Sequence, residues 1–306
     1  ANLALGRFGG ASLLGGEMRL DLERAKFYLS KLAAEMSRFT RTRVSAEQAA
    51  IGVLRVANTN MERALRVVSI ERGQDPRLFT LVSFGGAGGL HVCELASALR
   101  IPQVFIPRSP GTLSALGVLL GDVVKDYSRT VMMKMSGLNL RATKRIFAEL
   151  EREARRDLLR EGFSKERVRL ARSAAMRYAG QSFEIDVKWS KKFEADFHAA
   201  HRQRYGYADR SRPTEIVSLR VRASGITEKP RLRRAASAKS REAKASHTAS
   251  VYFSERPTRT PVYQRDDIPA SVKLRGPAII AEYSSTTLVP AGRSVEVDDW
   301  LNLIVV

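Results

Sequence analysis

The stretch FTLVSFGGAGGLHVCELASAL, residues 79–99, sets the tightest limit on what this chain can fold into. β-prone apolar residues run into glycine at 85, 86, 88 and 89, and an amphipathic run follows. Pro102 stops that run, and QVFI (Gln103–Ile106) is a second β-prone segment closed by Pro107. PGTLSALGVLLGD, 110–122, reads as a turn leading into an apolar helix. The spacing predicts a buried strand over Leu78–Phe84 and a helix over Leu90–Leu99. Strand, helix, strand, helix is an α/β alternation, met by a sheet covered with helices.

Glycine at a strand-to-helix junction has two physical uses. It permits a sharp turn through positive φ, and it lets another group lie against the main chain. The first turn of the following helix also offers unpaired N–H groups and a positive dipole end, which suits an anion or a nucleotide. The pattern is not a P-loop, because no G-x-x-x-x-G-K-[ST] is present, and it is not G-x-G-x-x-G, because His91 stands where the third glycine belongs. A nucleotide site and a tight structural turn both remain open from the pattern. His91, in the first helical turn, either faces a ligand or bonds the loop, and a helix N-terminus favours its neutral form. Cys93 is the only cysteine, lies in an apolar run and reads as core. Two positions apart on a helix, His91 and Cys93 point in different directions and do not make a nucleophile pair.

Elsewhere the chain reads as regular elements. Asp21–Arg38 has helical periodicity, with Leu22, Ala25, Tyr28, Leu29 and Leu32 on one face. Ser45 and Gln48 form a capping box that opens a long helix ending near Gly73. Asn58, Asn60, Glu62, Arg63 and Arg66 lie off its apolar stripe and read as solvent-facing. Residues 141–161 and 193–204 read as helices; 174–178, 183–189 and 215–223 read as strands, the last with Ile216 or Val217 inward. Thr227–Ser250 is basic and rich in alanine and serine, and reads as a linker or loop. Short β segments follow to Val306 and read as a small β-rich unit packed on the rest.

Function classes narrow by exclusion. No apolar run is long enough for a membrane helix, and no signal-peptide pattern opens the chain. One cysteine excludes an internal disulfide and CxxC metal sites and is compatible with a reducing cytoplasm. The net charge of +20 is spread along the chain, without the aromatic interleaving of an RNA-binding sheet or zinc-finger spacing, which argues against specific nucleic-acid binding. His198 and His201 stand at metal-ligand spacing, but without an H-E-x-x-H pattern they read as surface polar residues. The adjacent carboxylates Asp266–Asp267 and Asp298–Asp299 read as turn residues. No catalytic residue can be assigned.

NTNMERALRVVSIERGQDP, then LVSFGGAGGLHVCELASALRIPQVFIPRSPGTLSALGVLLGDVVKDYSRT, closely resembles the hydantoinase A and 5-oxoprolinase family, which also includes acetone and acetophenone carboxylase subunits. MRYAGQSFEIDV, FHAAHRQRYGY and TPVYQRDDIPASVKLRGPAIIAEYSSTTLVPAG extend the resemblance to nearly the whole chain. One departure lies in the key motif: the family commonly has FGGAGPLH, and here Gly89 replaces the proline. The loop is expected to keep its path with less rigidity. The family's phosphate loops are absent from these residues, so the chain resembles the C-terminal half of a hydantoinase A subunit.

The resemblance implies an α/β protein. Residues 1–130 would be half of an actin-like (ribonuclease H-like) ATPase fold, and 131–306 a mixed α+β, β-rich domain with the basic loop at 227–250. It implies an adenosine-side role for Gly85, Gly86, Gly88, Gly89 and His91, with ATP and Mg as cofactors of the full-length protein; use of any other metal stays open. The implied activity is ATP-dependent hydrolysis of a small cyclic amide, with ketone carboxylation as the alternative within enzymes. A hydantoinase B-like subunit is the implied partner, a homo-oligomer is compatible with it, and the isolated chain is expected to be inactive. A non-catalytic assembly module is the alternative of another class, motivated by the charge and the β-rich tail.

Overall fold

The computed structural model describes residues 1–231, 234–235 and 242–306. It divides into two compact units: Ala1–Val118 with Arg231–Val306, and Leu119–Pro230. The expected 130/131 boundary falls inside a strand, and the C-terminal β segments belong with the N-terminal residues. Local pattern cannot show this, because the strands that join the two ends of the chain are about two hundred residues apart.

The first unit opens with a small hairpin, β1 (Ser12–Leu13) and β2 (Met18–Arg19), and two helices, α1 (Leu22–Thr40) and α2 (Ala46–Val68). Asp21 caps α1 by accepting from Arg24 N–H, and the Ser45–Gln48 capping box opens α2 as expected. Next come β3 (Thr80–Val82), α3 (Val92–Ala98), β4 (Gln103–Ile106) and α4 (Leu113–Leu120), the last with no buried residue.

The second unit carries β5 (Val123–Lys134), α5 (Leu140–Arg160), β6 (Val168–Tyr178), β7 (Ile185–Lys188), α6 (Phe193–Tyr205) and β8 (Thr214–Gly225). Its sheet is antiparallel in the order β5-β8-β6-β7. Phe147, Leu150, Ala154 and Leu158 of α5 pack with Ala174, Met176, Leu219 and Val221 in one core. The sequence did not reveal β5. Tyr127, Val131 and Met133 pack on that core, but Lys125 and Arg129 interrupt the apolar alternation and pair with Glu161, which follows α5, and with Glu149 of α5. The choice between Ile216 and Val217 resolves as both. The register skips Val217 against both neighbours, a bulge, and both side chains are buried.

The chain returns to the first unit with β9 (His247–Tyr252), β10 (Pro257–Gln264), β11 (Lys273–Arg275), β12 (Ala278–Glu282), β13 (Ser285–Val289), β14 (Ser294–Val297) and β15 (Leu303–Val305). The loop expected over 227–250 therefore ends in a strand, since His247–Ser250 pairs with β10; its residues 232–233 and 236–241 lie outside the described residues. These strands do not form a separate unit. One sheet runs β13-β12-β10-β9, the other β11-β14-β15-β4-β3. Val104, Ile106, Ile280, Val289, Val295 and Leu303 meet in the core they share with α3.

β3 stands at the edge of the five-stranded sheet and is not buried as expected. Only Leu81 turns toward the core; Val82 and Phe84 are about half exposed, at 50% and 56%.

Candidate functional site

The glycine junction lies where β3 ends. Its turn conformation is as anticipated at Gly85, which has φ +84° and open space within 4 Å of where a Cβ would stand. The other glycines have a different reason. A Cβ on Gly86 would lie 2.9 Å from the Ser284 carbonyl oxygen, one on Gly88 2.7 Å from Ser83 Oγ, and one on Gly89 2.6 Å from the Thr286 carbonyl oxygen. Something does approach this main chain closely, and it is largely the chain's own β12–β13 hairpin. Gly111 completes the fit, since its Cβ would lie 2.2 Å from Ser284 Oγ.

The N–H groups of the junction are also used internally. Gly85 N–H donates to Pro110 O at 2.8 Å, and Leu90 and His91 N–H donate to Ala87 and Gly88 oxygens at 3.1 Å each. Gly88–Leu90 is a 3₁₀ turn, and α3 after it has seven residues. The row of free N–H groups that an anion would need is reduced by this turn.

His91 precedes the first residue of α3 and is half-buried. Its Nδ1 lies 2.7 Å from Asn58 Oδ1 on α2. Asn58 Nδ2 donates to Glu94 Oε2, and Glu94 Oε1 lies 3.2 Å from Nη1 of Arg7. Arg7 is 2% exposed, and its Nε donates to Tyr252 O at 3.0 Å. The partner of His91 is thus α2, not the loop. Burial lowers the His91 pKa below its ordinary value; Glu94 opposes this and Arg7 adds to it. Desolvation, the main cause, acts in the direction of the neutral imidazole expected from the sequence.

A cavity of about 540 Å³ opens beside His91, walled by Met61, Leu65, Leu81, Phe84 and Leu95. Its lining is apolar apart from His91 and Ser83. Such walls accept a flat ring, with His91 able to fix its orientation.

The remaining candidates fall outside this site. Cys93 is 4% exposed in the core, and burial pushes its thiol up to about 11. His198 and His201 are buried, at 8% and 1% exposure, not on the surface as expected. Tyr178 Oη and His198 Nδ1 share a hydrogen bond at 2.8 Å, and His201 Nδ1 donates to Tyr207 O at 2.8 Å. Tyr178, Tyr205 and Tyr207 rings surround His201. The pair is core polarity, and among the described residues no group of three or more His, Cys, Asp or Glu could hold a metal ion. Asp298 is a turn residue as expected, accepting from Trp300 and Asn302 N–H groups.

Sequence reasoning missed Asn58, Glu94 and Arg7. Asn58 stands off the apolar stripe of its helix, which signals solvent, and Arg7 and Glu94 are 87 residues apart. No local signal connects them.

The comparisons agree with this architecture. The family description Hydantoinase/oxoprolinase matches residues 1–127, and Hydantoinase/oxoprolinase C-terminal domain matches residues 135–304. An uncharacterised protein of Methanocaldococcus jannaschii is 35% identical over 98% of this chain and 43% of its own length. Caprolactamase subunit alpha of Pseudomonas jessenii is 31% identical over 97% of this chain and 44% of its own. The crystal structure of the ATP-dependent caprolactamase from that organism superposes with a TM-score of 0.72 at 30% identity, covering 99% of this chain and 45% of its own. A nucleotide-free acetone carboxylase structure superposes with a TM-score of 0.86 at 20% identity, covering 100% of this chain and 45% of its own, a likeness of fold. The chain therefore spans less than half the length of these relatives. Among the described residues no helix is long and apolar enough to cross a membrane.

Proposed function

The chain belongs to the hydantoinase/oxoprolinase family, and from that premise we propose that it supplies the adenosine side of a nucleotide cleft in an ATP-dependent cyclic amide hydrolase. What carries the reading is the 30% identity with an ATP-dependent caprolactamase over 99% of the chain. The β3–glycine turn–α3–β4 crossover, with β3 and β4 parallel, supports an actin-like half. In it Gly85, Gly86, Gly88 and Gly89 shape the loop, and His91 faces the ring cavity. Gly86 and Gly89 act by admitting the hairpin that backs the loop, and Gly88 by admitting Ser83 at the end of β3; Gly85 and His91 face open space.

ATP is the proposed cofactor, since the apolar cavity beside His91 fits an adenine ring. Magnesium accompanies ATP in this reading; the described residues form no cluster of His, Cys, Asp or Glu that could hold it. The alpha-subunit name of the caprolactamase relative supports a partner, which we take to be hydantoinase B-like, in the cytoplasm. Ketone carboxylation is the second reading. It is favoured by the TM-score of 0.86 with acetone carboxylase, and set behind the first by the lower identity of 20%.

The test is turnover by the native protein that carries this chain, purified with its bound partners. ATP-dependent ring opening of a hydantoin, 5-oxoproline or a lactam is expected. Carboxylation of ketones with bicarbonate, and no ring opening, would overturn the assignment in favour of the second reading.

A further inference from the structure

The four side chains Arg7, Glu94, Asn58 and His91 form an unbroken polar chain ending at the cavity. We propose that Arg7, Glu94 and Asn58 are positioning residues that lock His91 in its Nδ1–H form, so that Nε2 meets the cavity as a bare acceptor for a donor group on a heteroaromatic ring.

Donors and acceptors along the chain decide the tautomer. A carboxylate has only acceptors, and Glu94 is held as one by the buried guanidinium of Arg7 at 3.2 Å. The Asn58 group facing Glu94 must therefore be its NH₂. That leaves the carbonyl Oδ1 toward His91 at 2.7 Å. Oδ1 cannot donate, so His91 Nδ1 must carry the hydrogen. In a neutral imidazole the other nitrogen then has none. Free neutral histidine is not held to this form, so the protein selects it, and the selection is anchored on a cation that cannot turn away. Arg7 also donates to Tyr252 O at 3.0 Å and to Phe253 O at 3.5 Å, so its guanidinium is fixed on two sides.

The cavity states the ligand class. Met61, Leu65, Leu81 and Phe84 offer apolar surface, and His91 contributes an acceptor. A flat ring with an amino group in its plane satisfies both, as an aminopurine does. The identity of the ring rests on the nucleotide reading above; the tautomer does not.

The experiment is long-range ¹H–¹⁵N NMR of the 306-residue chain with labelled histidines at about pH 8, above the ordinary histidine range, with His91 assigned from His91→Gln. The Nδ1–H form is expected for His91. Asn58→Leu should move it to mainly Nε2–H, and Glu94→Gln, which lets the Asn58 amide turn over, should give a mixture. The amide spectrum away from the site reports whether each variant folds, and the wild-type spectrum decides where one does not. An Nε2–H form in the wild type, or a folded Asn58→Leu with an unchanged tautomer, would overturn the lock. Adenosine and purine riboside, which lacks the amino group, are then titrated. Binding of adenosine about tenfold tighter, with a shift at His91 Nε2, is expected, the worth of one good hydrogen bond. Adenosine binding without that shift would refute the role of Nε2. No adenosine binding, with the Nδ1–H form retained, would refute the ring assignment and the nucleotide reading while leaving the lock intact.

Discussion

A side chain on Gly89 would place its Cβ 2.6 Å from the carbonyl oxygen of Thr286 and 2.7 Å from Oγ1 of Thr287. That glycine gives room to a neighbouring strand, and this is the reason for its composition that the structure supplies. The proline that the family pattern carries there would need the β12–β13 hairpin to stand further off. Gly89→Ala is expected to destabilise the protein by about 1–3 kcal/mol, the usual range for overpacking. Gly117→Ala is the control. Gly117 is exposed in α4 with nothing within 4 Å of a Cβ, so alanine there should stabilise by about 0.5–1 kcal/mol. Urea midpoints of the two variants check both signs.

Tyr178 holds α6 and the following loop through one oxygen. It shares a hydrogen bond with His198 Nδ1 and accepts from Asp209 N–H, each at 2.8 Å. Tyr178→Phe leaves both partners without it and is expected to cost about 1–3 kcal/mol. Amide exchange at Asp209 should accelerate before the rest of the unit opens. Unchanged protection there would show that the loop is held by other contacts.

Acid should weaken the protein through its histidines. Burial is the main cause lowering both the His91 and the His198 pKa. Each therefore binds fewer protons folded than unfolded once the pH drops below the ordinary histidine value of about 6.5. Stability from these groups is complete above that value and falls as the pH descends toward their folded values. Urea midpoints measured about one pH unit above and one below that value should differ in that direction. His198→Asn, which keeps a hydrogen-bonding group for Tyr178 and does not titrate, should flatten the dependence.

Glu215 pairs with Arg177 at 2.6 Å, with side-chain exposures of 11% and 20%. Glu215→Ala leaves that guanidinium buried without its partner and should cost about 3 kcal/mol. The exposed pair Arg222–Asp126, at 64% and 60% exposure, should be indifferent to Asp126→Asn. Thermal unfolding of the two variants discriminates them.

Cys93 should be inert. Its thiol is pushed up to about 11 by burial, so iodoacetamide at about pH 8 should modify it only after denaturation. Mass spectrometry of native and urea-treated protein reads this directly.

The sequence made the local elements legible and the long-range joins illegible. The Ser45–Gln48 cap, α5, α6 and the segment QVFI were readable because period and end signals lie within a few residues. β5 was hidden because Lys125 and Arg129 break its apolar alternation, each partly exposed and paired with Glu161 and Glu149. β3 looked buried from its apolar composition, but strand order puts it at an edge. His91 stood out in its motif; Asn58 and Arg7 became visible only once α2 and the N-terminal segment lay beside α3.

The pairing of Val305 with Val104 and of Leu303 with Ile106 fixes an order of events during synthesis. Unit Leu119–Pro230 is contiguous, so its contacts need no residue made after Pro230. The β3–β4 pair, made earlier, must wait for β15 before its central strand has a second neighbour. Until then the edge of β4 is exposed as a template for other chains. Within this sheet, the edge of β4 is thus covered only when β15 has paired with it.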